Sequence, residues 1–144
     1  MNRWLTIVVV VLAAALNCVA AKETVQQLAA RADAARPEDR PGLYIEIAER
    51  QLKAVDELFH DGKDEEAVAA VKDVVAYSEK AHDAAVVARN KLKNTEIALR
   101  KMAAKLRDIK RTLGFEDQAP VQTAADRLEA LRTDLLAKMF GKGK

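Results

Sequence analysis

Apolar positions recur along this chain at intervals of three and four, and Gly or Pro interrupts the rhythm at only a few places. From Lys22 to Arg36, Val25, Leu28, Ala29, Ala32 and Ala35 fall on one helical face, thin and mostly alanine, which needs a neighbour to lean on. The stretch PEDRPG, Pro37 to Gly42, halts that pattern because two prolines and a glycine cannot continue a helix. A second helix is predicted over 43–60, with Ile45, Ala48, Leu52, Val55 and Phe59 on its inner stripe. Glu46 precedes Arg50, and Glu49 precedes Lys53, by four on the outside. The residues Asp61 to Asp64 supply a short turn in which Gly62 can take positive φ. Asp64, Glu65 and Glu66 then suit the start of a third helix through its dipole. An antiparallel helical hairpin follows from these three features.

Between Glu65 and Leu113 there is neither Gly nor Pro, and one apolar seam continues throughout. Its members are Ala67, Val71, Val74, Ser78, Ala81, Ala85, Ala88, Leu92, Thr95, Leu99, Met102, Leu106, Ile109 and Leu113. A period of about 3.5 over some six heptads is that of a coiled-coil-like helix, and at about 1.5 Å per residue it would reach roughly 75 Å. The weak point is Asn90 to Thr95, where two asparagines occur and Thr95 could cap a new start. A break there would fold the rod into a compact bundle. Gly114 ends the pattern, GFEDQAP makes the connection, and Pro120 suits the first turn of a final helix. Val121, Ala124, Leu128, Leu131 and Leu135 line that helix, up to Phe140 and the stop at Gly141.

The expected fold is therefore all-α: an antiparallel hairpin extended through a long central coiled-coil-like helix to a C-terminal helix, together an elongated bundle. Within the apolar seam, Leu92, Leu99, Met102, Leu106, Ile109 and Leu113 form a candidate interaction surface, because a seam this long with only partial partners leaves apolar area for self-association or a protein partner.

Residues 1–21 change the picture from architecture to location. They place Arg3 before an apolar run from Trp4 to Leu16 and end on small residues, the layout of a cleaved export signal. The chain then divides into a signal peptide at 1–21, an Ala-rich helix and Pro-containing linker at 22–42, a helical domain at 43–140 and a basic tail at 141–144. The product is expected to be periplasmic or extracellular. The alternative is an inner-membrane anchor, since the uncharged window from Trp4 to Ala21 meets the roughly 18-residue minimum for a span. The single cysteine, Cys18, lies within this segment, preceded by Asn17 rather than the small residue of a lipidation signal. The exported product thus has no thiol nucleophile, disulfide or cysteine ligand.

Charge adds one candidate site. Between Arg89 and Arg111 lie nine basic residues against Glu96 and Asp108, whereas Glu38 to Glu66 holds ten acidic and four basic ones. On a continuous helix, Arg89, Lys93, Arg100, Arg107 and Arg111 share a face turned away from the seam. Such a stripe suits an anionic envelope polymer or lipid headgroup, and equally a solvated helix face. Nucleic acid is not expected, because no aromatic residue is interleaved for base stacking. His60 beside Asp61 and Asp64 lacks the spacing of a metal site, and Ser78 falls on the buried seam. No catalytic residue, metal ligand or cofactor site is assigned.

The turn GKDEEA, Gly62 to Ala67, resembles that of a tetratricopeptide repeat, in which a Gly ends the first helix and an Ala five residues later packs against it. One copy is present. The resemblance implies close helix-pair packing and a protein-binding habit. The stretch from Lys91 to Leu136 is similar to segments of exported bacterial proteins, which implies a location and no activity.

Overall fold

A computed structural model describes residues 22–141, and the export-signal reading of 1–21 falls outside them. Among the described residues there are five helices and no strand: α1 (Val25–Ala34), α2 (Arg40–His60), α3 (Asp64–Ala88), α4 (Leu92–Thr112) and α5 (Phe115–Phe140). The expected all-α bundle is what forms.

Local sequence accounts for the first three helices. Thr24 caps α1 in a reciprocal box, its Oγ1 accepting from the Gln27 amide at 3.2 Å while Gln27 Oε1 accepts from the Thr24 amide at 2.9 Å. The thin face of α1 does find its neighbour: Leu28 and Ala32 are fully buried against Tyr44, Ile47 and Ala81. Tyr44 donates its hydroxyl to Asp33 at 2.6 Å, and burial, followed by that carboxylate, pushes the phenol up to about 12. The second helix begins at Arg40, earlier than the run PEDRPG suggested. Pro41 occupies its first turn, where a missing N–H costs nothing because no helical acceptor is due there.

α2 and α3 form the expected antiparallel hairpin, and α4 and α5 form a second. The two hairpins lie side by side, α3 against α5 and α2 against α4. Glu79 to Arg127 and His82 to Asp134 show that α3 and α5 run parallel. Ala67, Ala70, Val71, Val74, Ala81 and Ala85 of α3 are buried, and their small size lets the helices approach closely. Val121, Leu128 and Leu135 of α5 are fully enclosed with Leu99 and Leu106 of α4. One buried charge sits among them: Glu96 accepts from Arg132 Nε at 2.6 Å, fixing the register of the second hairpin. Every buried apolar residue among those described lies between Leu28 and Leu135.

The single rod of about 75 Å does not form. The chain turns at Arg89 and Lys91, both left-handed, with φ of 48° and 58°. This conformation costs a residue with a Cβ about 1–2 kcal/mol. Burying a Leu, Ile or Met side chain returns about 1.5–3 kcal/mol each, and the turn lets Leu99, Met102, Leu106 and Ile109 all be buried within the chain. A straight helix would carry them beyond the reach of α2. The break thus spans Arg89, Asn90 and Lys91, at the start of the Asn90 to Thr95 window, and Thr95 lies inside α4 rather than capping it.

The last helix also starts earlier than expected. It begins at Phe115 after a two-residue turn, and Pro120 stands inside it rather than at its first turn. Gln118 secures this end by donating to the Leu113 carbonyl at 3.0 Å.

Candidate interaction surfaces

The two surfaces read from the sequence fare differently from what a straight rod requires. Leu99, Met102, Leu106 and Ile109 are buried in the main core, and Leu92 and Leu113 are half-buried against it. The seam is therefore spent within the molecule and is not an open contact face: the reversal at Leu113 and Gly114 lays α5 along it, and the turn at Arg89 brings it against α2 and α3. The basic stripe is divided by the same turn. Arg89 is the C-terminal cap of α3, off the axis of α4. Arg107 Nη1 lies 3.4 Å from Glu129 of α5, and Arg111 Nη1 lies 3.1 Å from Asp108. Lys93 and Arg100 stay exposed and, among the described residues, form no ion pair.

The titratable groups do not gather into a reacting centre. His82, held between α3 and α5, has one ring nitrogen 2.8 Å from Asp83 Oδ1 and the other 2.6 Å from Asp134 Oδ2. The hydrogen bond from His82 holds the Asp134 carboxyl below its ordinary value, helped by Lys138. Ser78 is fully buried one turn before His82, and its Oγ has no hydrogen-bond partner. Both nitrogens of His82 being directed at carboxylates, the imidazole does not address that hydroxyl. His60 is exposed at the end of α2, and no three His, Cys, Asp or Glu side chains converge as a metal would require, among the described residues. No helix among them is long and apolar enough to cross a membrane.

What the fold creates instead is an apolar groove where α3 and α5 run parallel. Val68, Val71, Val75, Pro120 and Ala124 wall a hollow of 490 Å³, with Lys72, Thr123, Glu79 and Arg127 around it. From Val68 to Glu79 the furrow follows α3 for about 16 Å, some three helical turns. Arg127 Nε donates to Glu79 Oε1 at 2.7 Å and closes one end. Lys72 is exposed and forms no ion pair among the described residues. A wider hollow of 680 Å³ at the junction of α1 and α2 is lined by Arg31, Arg36 and Lys91. These cations already face Glu23, Asp39 and Asp39 at 2.9, 3.1 and 4.0 Å.

Single-face helical reading misses this groove. α3 carries Val68 and Val75 beside its buried seam, a second apolar row seven residues apart, and that row was the available signal. Pro120 gave none, since it enters the groove wall only because α5 starts five residues before it. The chain matches no known protein family, no curated protein and no solved structure.

Proposed function

We propose that this is a non-catalytic, exported helical interaction module of the bacterial envelope that receives an amphipathic helix of a partner protein in the groove between α3 and α5. The groove carries the proposal. It is about three turns long and walled by Val, Pro and Ala, a surface that an apolar helix face fills. Lys72 on its rim favours a partner helix with an acidic residue beside its apolar stripe. Export rests on residues 1–21, and the hairpin resemblance to tetratricopeptide repeats agrees with protein binding.

The test uses fluorescence anisotropy with fourteen-residue amphipathic peptides bearing either one Glu or one Lys at the edge of a Leu stripe. The chain from Lys22 should prefer the Glu peptide, Lys72→Glu should reverse that preference, and Val68→Glu with Thr123→Glu should weaken both about tenfold or more. Equal binding by all three proteins, or binding by none, would sink the groove reading. Fractionating cells that express the full chain, with N-terminal sequencing of the product, tests export separately; a start near Lys22 in the periplasm or medium is the supporting result.

A further inference from the structure

The two ends of the bundle differ in chemistry. At one end stand the last turns of the parallel helices α3 and α5 and the first turn of α4. Val87 and Phe140 are exposed there, at 81% and 78%. Arg89 and Lys93 are exposed at the same end and form no ion pair among the described residues. Carboxylates at this end have partners of their own. Asp39 meets Arg36 at 3.1 Å, Asp83 meets His82 at 2.8 Å, and Asp134 meets His82 at 2.6 Å and Lys138 at 3.6 Å. The opposite end also exposes an aromatic residue, Phe115, at 89%, but carries Asp61, Asp64, Glu65, Glu66, Glu116 and Asp117 against Lys63, Lys110 and Arg111.

We infer that the end bearing Val87, Arg89, Lys93 and Phe140 docks on an anionic lipid bilayer surface. Two apolar side chains held clear of the body can enter the headgroup boundary, while cations with no internal partner meet the lipid phosphates. Charge decides between the ends: Phe115 offers as much apolar surface, and its carboxylates are repelled by such a membrane. Only a few cations and two side chains take part, so the contact is weak, reversible and sensitive to salt. It is independent of the groove, which lies on the side of α3 and α5.

Flotation with phosphatidylglycerol-containing vesicles and with phosphatidylcholine vesicles tests this on the chain from Lys22 to Lys144, which holds the whole described core. Binding to the anionic vesicles alone is expected, falling at least fivefold for Phe140→Ser with Val87→Ser and about tenfold for Arg89→Glu with Lys93→Glu. Phe115→Ser and the groove variants should bind as the parent does. All the substituted positions of the end patch are exposed, and an unchanged thermal midpoint confirms that each variant is folded. Since Trp4 is the sole tryptophan, Phe140→Trp gives the chain from Lys22 a single tryptophan whose emission, excited selectively, should shift to the blue only with anionic vesicles. No binding, equal binding to both lipids, or an equal loss for Phe115→Ser overturns the inference. So does a vesicle-free dimer that the Phe140 and Val87 substitutions dissociate, which would assign this end to a second copy of the chain.

Discussion

The reversal between α2 and α3 and the one between α3 and α4 use the same backbone device on different residues. In the first, Lys63 N–H donates to Leu58 C=O at 2.8 Å and Gly62 N–H to Phe59 C=O at 3.1 Å. In the second, Asn90 N–H donates to Ala85 C=O at 3.2 Å and Arg89 N–H to Val86 C=O at 3.3 Å. Both are helix-ending motifs closed by a left-handed residue. Gly62 takes φ of 73° without penalty, while Arg89 takes 48° against the steric preference of any residue with a Cβ. A turn that its own residues favour and one that they resist can thus have the same shape. The second is held from outside, by the core that α4 and α5 complete once the chain has turned.

The outside support of the second turn lies in the core around Leu99. Leu99, fully buried two turns after the second reversal, should cost about 2–5 kcal/mol when changed to Ala, read as a lower denaturant midpoint. If the core holds the turn, hydrogen exchange at Arg89 to Lys91 should accelerate in this variant while exchange at Gly62 and Lys63 changes less. Equal acceleration at both would show that the second turn is locally stable after all.

Next in size is Gly62→Ala, expected to lose about 1–2 kcal/mol. A Cβ there meets nothing within 4 Å, so the loss is one of backbone conformation alone. The reciprocal change, Arg89→Gly, should gain about 0.5–1 kcal/mol, as relief from the left-handed strain exceeds the added freedom of glycine in the unfolded chain. Chemical denaturation of the pair, measured side by side, should give opposite signs. A destabilised Arg89→Gly would contradict the account of strain.

The smallest effect concerns pH. The second turn is preceded by a tie between α3 and α5, His82 to Asp134. Because that hydrogen bond lowers the Asp134 pKa in the folded state, its contribution is complete above the ordinary carboxylate value. It is lost as pH falls through the lower folded value. Acid unfolding followed by circular dichroism below about pH 4 should therefore begin at a higher pH in His82→Ala than in the parent. The half-exposed carboxylate keeps this difference small.

Much of the architecture was legible because its causes are local. The stripes of Leu52, Val55, Leu128, Leu131 and Leu135, the acidic start at Asp64 to Glu66, the turn at Gly62 and the stop at Gly141 each follow from residue type and spacing, and the helices lie where those signals put them. The candidate surfaces were less legible. Leu99 and Ile109 have the same spacing whether a partner or the chain itself covers them. Arg107 and Arg111 look like free cations until Glu129 and Asp108 are placed beside them.

By itself, then, the sequence determined four helical segments, their inner faces and the first reversal, because helix period, capping and glycine act over a few residues. The tertiary structure alone decided the second reversal, the closure of the seam, the early start of α5 and the groove beside Val68 and Pro120. In each of these the local preference is neutral or adverse, and the burial of side chains distant in sequence outweighs it.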